Sequence, residues 1–386
     1  MPERPTDRGA GLYVHVPFCA RKCPYCDFYS IPAGATDAGA GEAIERYLDA
    51  LAIETSRWPP GFSPATVFLG GGTPTALPEA ALGRLLDVVR SRIRPEAVAE
   101  WTCEANPGTL TPAKARLLRG EGVNRLSIGV QGLDPSILVR LGRLHDAREA
   151  REAVGVARAA GFENVGLDLM YAVPGLTPAV WAATLDAVVR LAPDHVSAYA
   201  LTIEDGTPLA RERAAGRWPE EDEDEAGEQY AGLRRALAAA GFEHYEISNW
   251  ARPGRACRHN LLYWSGGDYA GAGPSAHAHA GGRRRANLRD LRAWADALRR
   301  GADPIEFEET LDPEARARET LVFGLRRIAG VDREWFRGRT GFDYEALRGR
   351  EIDALAAEGL LERTARGVRL TERALFVSDR VFAELV

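Results

Sequence analysis

Short apolar, β-rich runs alternate with amphipathic stretches through the first half of the chain, and this alternation limits its folds more than any other feature. Residues 12–18, 66–69, 99–104, 125–130, 164–170 and 195–201 read as strands, and residues 42–58, 79–93, 146–160 and 178–191 as helices between them. Strands that alternate with helices build a parallel sheet with crossover helices. Six such units predict an α/β fold of partial (β/α)6-type TIM barrel form, with a doubly wound open sheet as the alternative. Thr111-Pro112 and Asp134-Pro135 each set a capping residue before a proline suited to the first helical position.

The pattern changes after about residue 300. Residues 313–328, 332–338 and 344–358 read as helices, residues 359–363 and 368–370 as a hairpin around Arg366-Gly367, and a last helix starts at Glu372. The expectation is a barrel domain over residues 1–300 and a small helical, winged-helix-like domain over 301–386. Winged helices often bind DNA, but residues 311–386 hold 14 arginines against 14 acidic residues. The whole chain carries a formal charge of −6. Neither offers the basic face that neutralises phosphates, so nucleic acid is excluded and the module reads as a packing or lid element. The acidic run 220–225 reads as a solvated loop or helix start. No stretch of eighteen apolar residues spans a membrane, and residues 1–10 lack the apolar run of a secretory signal, which predicts the cytoplasm.

Three of the five cysteines crowd into eight residues: Cys19, Cys23 and Cys26, spaced C-x3-C-x2-C directly after the first strand. An odd, clustered set does not suit a secreted disulfide framework. Three thiolates in one tight loop suit three corners of a [4Fe–4S] cluster, leaving the fourth iron to chelate a small molecule through an amine and a carboxylate. A zinc site is the rival reading, but zinc wants four ligands in a closed site, and neither His15 nor Cys257 completes an obvious pattern. Cys103 reads as a core residue.

Gly70-Gly71-Gly72-Thr73-Pro74 follows the second strand. Glycines let a backbone turn sharply and approach a ligand closely. Glu104 and Asn106 end the third strand, Gln131 ends the fourth, and Asp168 interrupts the apolar fifth. The strand C-termini form the active face of a parallel barrel, and a carboxylate in a buried strand needs a partner. Glu104 and Asp168 would bind ribose hydroxyls or a cation, or else pair with a structural arginine.

These motifs together resemble the radical S-adenosylmethionine superfamily. More narrowly, the tract 13–26, the Gly-Gly-Gly-Thr-Pro-Thr turn, Gly129-Val130-Gln131 and the C-terminal module resemble the oxygen-independent coproporphyrinogen III oxidases and their relatives, the HemW haem chaperones. The resemblance covers nearly the whole chain. It implies that Cys19, Cys23 and Cys26 ligate a [4Fe–4S] cluster, and that Tyr13, Tyr25, Gly71, Gly72, Thr73, Glu104, Gln131, Arg143 and Asp168 line the S-adenosylmethionine site. It further implies one-electron reduction of the bound sulfonium by the cluster.

Two features favour the chaperone branch. Phe28 stands where the oxidases continue to a fourth cysteine, and Cys257-Arg258-His259-Asn260-Leu261-Leu262-Tyr263-Trp264 resembles the HNxxYW motif of the chaperones. Only eighteen residues precede Cys19, unlike the longer arm of the oxidases. A histidine nitrogen can ligate haem iron, so His259 is the candidate ligand, with Asn260, Tyr263 and Trp264 as haem contacts. Cys257, His277 and His279 are further candidates. The expected function is haem transfer to an unidentified apo-haemoprotein, with homodimer formation left open. The alternative is a coproporphyrinogen III oxidase, for which Arg125, Arg143 and Arg283-Arg284-Arg285 offer contacts to carboxylates. Haem propionates would want the same partners.

Overall fold

The computed structural model describes residues 9–33, 38–58, 62–220 and 222–386. Residues 1–8 of the polar N-terminal segment, and Glu221 of the acidic run, lie outside the described residues. Six parallel strands pair side by side in chain order: β1 (Gly11–Val16), β2 (Thr66–Gly71), β3 (Glu100–Ala105), β4 (Arg125–Gln131), β5 (Val165–Tyr171) and β6 (His195–Ala200). Helices return the chain between them: α1 (Ala38–Ser56), α2 (Glu79–Arg90), α3 (Pro112–Gly120), α4 (Pro135–Arg140), α5 (Ala147–Ala159) and α6 (Pro178–Arg190). The caps form as the sequence implies. Thr111 accepts the Lys114 N–H, and Asp134 accepts those of Ser136 and Ile137. Asp146 and Glu149 close a reciprocal capping box.

The row of strands is extended at both edges. Antiparallel strands β7 (Glu243–Glu246) and β8 (Asn249–Ala251) continue it beyond β6. On the other side, β9 (Tyr269–Ala272) pairs parallel with β1, and β10 (His277–Ala280), β11 (Arg283–Asn287) and β12 (Ile305–Thr310) follow antiparallel. The result is a partial (β/α)6 barrel with a seventh parallel strand. That strand escapes a sequence reading because Tyr-Ala-Gly-Ala has neither β-branched residues nor clear alternation.

Side-chain alternation divides this sheet into two chemically different faces. The outward residues, including Leu12, Val14, Val67, Leu69, Leu126, Ile128, Leu167 and Leu169, have no exposed surface and pack in the main core. The inward residues are largely polar: Tyr13 and His15 on β1, Glu100 and Glu104 on β3, Arg125 and Ser127 on β4, Asp168 on β5, and His195 and Ser197 on β6. Burying the outward face stabilises the fold by about 25 cal/mol per Å² of apolar surface. The inward face is thereby left for binding.

The sequence places the module boundary at residue 300, whereas the large sheet continues to Thr310 through β12. Beyond it, helices Pro313–Leu325, Arg333–Thr340 and Tyr344–Ala357 pack with a three-stranded antiparallel sheet of Val331–Asp332, Gly367–Leu370 and Leu361–Arg363. Helix Ser378–Leu385 completes this winged-helix-like module. Among the described residues, no helix is long and apolar enough to cross a membrane.

Candidate functional site

The three clustered cysteines lie on one loop at the C-terminal mouth of the barrel, half-buried and free. The loop is fixed from several sides. Phe18–Cys19 pairs with Ile31–Pro32, Leu209 donates its N–H to the Pro24 carbonyl at 2.9 Å, and Arg21 donates to the Gly142 carbonyl. Thr73 places its hydroxyl 3.6 Å from the Cys19 sulfur, and Arg143 donates to the Cys23 sulfur at 3.3 Å. Burial pushes the Cys26 thiol up to about 11 and raises that of Cys19 as well. Their thiolates therefore call for a nearby positive centre, which an iron cluster supplies. Among the described residues, no three His, Cys, Asp or Glu side chains converge on a point suited to one metal ion. Three thiol donors on one loop are the donor set of a [4Fe–4S] cluster with one iron left open.

The triple-glycine turn locks against the strand that leads into this loop. Gly72 donates to the Val16 carbonyl at 2.9 Å and Thr73 to the Phe18 carbonyl at 2.7 Å. Gly71 has φ +95°, and a Cβ there would sit 2.4 Å from the His15 ring, so no other residue fits without displacement. At Gly70 a Cβ would approach a Glu104 oxygen to 2.7 Å. The small turn therefore leaves room for the Glu104 carboxylate, which accepts the Gly71 N–H at 3.1 Å.

Glu104 and Asp168 are both partly buried in the barrel interior. Burial, and then the neighbouring Asp168, push the Glu104 carboxyl up to about 8. Burial raises Asp168 too, opposed by Ser197, Arg125 and Ser127; the Ser127 hydroxyl donates to Asp168 at 3.0 Å. Two partly buried carboxyls with so little compensating charge could accept a ligand ammonium group or sugar hydroxyls. Asn106 donates to the Thr73 hydroxyl at 2.7 Å, and Arg143 donates to the Asn106 and Gly129 oxygens. Gln131 sits at φ +63°, where the β4–β5 register shifts. A non-glycine residue held there stores strain at a binding edge. Tyr13 donates its hydroxyl to His15 Nδ1 at 3.0 Å, because His15 Nε2–H is committed to the Tyr29 carbonyl at 2.8 Å. Burial pulls the His15 ring down to about 4, which keeps it neutral in this role. Tyr25 packs half-buried on the same loop beside Cys23 and Arg143. The residues expected at the cofactor site thus gather at one mouth. Ser127, Ser197 and Tyr199 join them unforeseen, although polar residues at every second position of β4 and β6 signal an inward face.

The HNxxYW string lies elsewhere. It forms helix Arg258–Trp264 across the N-terminal floor of the barrel. His259 is 1% exposed. Its Nδ1 meets the Thr66 hydroxyl at 2.8 Å, and its Nε2 meets the Tyr263 hydroxyl at 2.8 Å. Thr66 opens β2 and Gly71 closes it, a separation of about 16 Å along a strand. Glu100 caps the helix from β3 by accepting the Arg258 and His259 N–H groups at 3.0 and 3.1 Å, and Cys257 donates to the same carboxylate at 3.4 Å. Trp264 turns toward the C-terminal module, with the Arg326 guanidinium 4.4 Å over its ring, and Asn260 is partly buried. His259 is therefore closed off in the floor, whereas Asn260, Tyr263 and Trp264 are partly exposed, and the whole string lies at the opposite end of the barrel from the cysteine loop. The arginines expected to meet carboxylates are also engaged. Arg125 is buried beside Glu100 at the floor. Arg283 and Arg285 pair with Glu308, and Arg284 with Glu309 and Glu319.

Comparison with known proteins settles the family. The sequence profile of the Radical SAM superfamily matches residues 13–188, and that of the HemN C-terminal domain matches residues 311–377. The haem chaperone HemW of Mycobacterium tuberculosis is 36% identical over 379 residues, 97% of this chain and 94% of that protein. The chain belongs to the HemW family. Within it, the Bacillus subtilis haem chaperone HemW is 33% identical over 96% of this chain and 97% of its own length. The Escherichia coli haem chaperone HemW is 34% identical over 94% of each. The solved coproporphyrinogen III oxidase HemN of Escherichia coli, a Radical SAM enzyme, superposes with a TM-score of 0.84 at 22% identity, covering 99% of this chain and 91% of that one. That likeness shows the fold: the radical SAM partial barrel with its C-terminal module.

Proposed function

We propose that this chain is a haem chaperone, which binds haem and passes it to an apo-haemoprotein, and that Cys19, Cys23 and Cys26 hold a [4Fe–4S] cluster beside an S-adenosylmethionine site. The observation that carries the proposal is near full-length kinship with three HemW haem chaperones, on a chain whose cysteine loop and carboxylate-lined mouth are assembled. When bound, the cluster supplies a one-electron reductant next to the sulfonium. The chain's own residues do the rest. Glu104 and Asp168 receive the ligand's cationic and hydroxyl groups. The Gly70–Gly72 backbone lets the ligand close in, and Tyr13, Gln131 and Thr73 bound the pocket. Arg143 bridges the Cys23 sulfur to the Gly129 carbonyl and couples the loop to the pocket wall.

Phe28, 66% exposed on the cysteine loop, supports the chaperone reading over the oxidase alternative, because no fourth thiol follows Cys26 there. The His259 assignment requires more than the helix in place, since both ring nitrogens are bonded inside the floor. Haemin titration of the anaerobically reconstituted protein tests the proposal. Saturable binding of one haem per chain supports it, and its absence overturns it.

A further inference from the structure

The sheet extends beyond β1 as a wall that is open at the top and covered below. Gly11 pairs with Tyr269 and Tyr13 with Gly271, so β9 carries the inward face of the barrel outward by one strand. The next strands keep that face in register: His277 stands opposite Ala286, and Ala286 opposite Phe307. Gly271 lies so close to β10 that a Cβ there would sit 2.1 Å from the His277 carbonyl oxygen. His277 therefore rises between a glycine and an alanine. Phe307 stands two strands away, about 10 Å off at ordinary strand spacing. His277 is exposed, and Phe307 is 49% exposed.

Lower on the same face the wall closes. His279 is buried beside Tyr269, and Arg284 is tied to Glu309 and to Glu319 of helix Pro313–Leu325. The open strip is thus confined to the mouth. Here His277 and the Arg289 guanidinium both lie near enough to His15 to disfavour its protonation. Arg289 is exposed; its guanidinium donates to the Asp27 carbonyl at 2.7 Å and stands 3.5 Å from the Asp27 carboxylate, surface contacts that cost little to exchange.

We infer that the His277–Ala286–Phe307 strip is the haem seat, with His277 as axial ligand. This rests on the haem-chaperone reading above. An axial imidazole needs bare neighbours, because the macrocycle lies across the ring nitrogen and sweeps over whatever flanks it. Gly271 and Ala286 provide that clearance. Phe307 offers an apolar face at a distance comparable with the half-width of the disc plus its rim substituents. Arg289 offers a guanidinium to a propionate carboxylate. His259 has none of these: it is enclosed, bonded at both nitrogens and flanked by Phe68 and Tyr263 rings. The seat lies on the same mouth as the cysteine loop, so cargo and cofactors share one opening.

The test is a haemin titration of the full, reconstituted chain, followed by the Soret band and ferric spin state, for wild type, His277→Ala, Ala286→Leu and His259→Ala. The inference predicts at least tenfold weaker binding and loss of the nitrogen-ligated spectrum in His277→Ala, with recovery of that spectrum on adding free imidazole. It predicts weakened binding in Ala286→Leu, which keeps the ligand and fills its clearance, and retained binding in His259→Ala. Wild-type binding with unchanged affinity and spectrum in both His277→Ala and Ala286→Leu would overturn the seat and leave the chaperone reading standing. A wild type that fails to bind haem saturably would overturn both.

Discussion

Replacing Glu104 with glutamine should make the ligand-free protein more stable while removing its affinity for S-adenosylmethionine. Glu104 is partly buried in the barrel interior, and desolvation, then the neighbouring Asp168, raises its carboxyl from an ordinary value of 4.5 to about 8. The folded state therefore holds a proton that the unfolded state releases anywhere between those two values. Stability falls as pH rises through this window, by about 1.4 kcal/mol per unit. At pH 7 the accumulated cost is about 3 kcal/mol. Glutamine has the same shape, keeps an acceptor for the Gly71 N–H, and has no proton to lose. The variant's advantage should be near zero at about pH 4.5, grow to about 3 kcal/mol at pH 7, and level off above pH 8. Urea unfolding of unreconstituted wild type and variant across this range reads the difference directly. Isothermal titration of the reconstituted proteins reads the loss of ligand affinity. An advantage that is flat with pH, or a variant less stable at pH 7 than at pH 5 relative to wild type, would refute the burial argument for this carboxyl.

Further consequences follow from the same geometry. Gly71→Ala forces a Cβ to within 2.4 Å of the His15 ring at φ +95°, so it should destabilise the protein by about 1–3 kcal/mol and weaken S-adenosylmethionine binding. Thermal unfolding and ligand titration check both. Arg143→Met removes the donor to the Cys23 sulfur, and the reconstituted cluster should bleach faster in air, read as the decay of its visible absorption. His259→Ala leaves the Thr66 and Tyr263 hydroxyls without their shared partner inside the floor. It should cost about 2–4 kcal/mol in urea unfolding, a structural penalty separate from any effect on haem affinity. Serine at Cys19, Cys23 or Cys26 should abolish cluster incorporation, seen as loss of iron and of the brown chromophore.

The barrel was largely legible in the chain, since β1 to β6 fall within two residues of the apolar runs that announce them. The residues expected to hold a cluster and cofactor gather at one mouth because they sit on strand ends and on one loop, where local order sets their position. What the chain concealed is set by pairing across long separations. The HNxxYW string presents flat aromatic faces when read as text, yet Glu100, over 150 residues away, caps its helix at the barrel floor. The Arg283-Arg284-Arg285 run reads as free positive charge, yet antiparallel register with β12 sets Glu308 and Glu309 opposite it. His277, one residue of an Ala-His-Ala-His tract, reads in the sequence only as one candidate among several, until strand register aligns it with Ala286 and Phe307.

The central claim is that this fold carries haem rather than turning over a porphyrinogen. Native mass spectrometry of the anaerobically reconstituted chain, offered haemin in one sample and coproporphyrinogen III with S-adenosylmethionine and a reductant in another, tests it most directly. The account predicts a complex of one haem per chain and unaltered coproporphyrinogen. Decarboxylated porphyrinogen that depends on S-adenosylmethionine, with no haem complex, would contradict it.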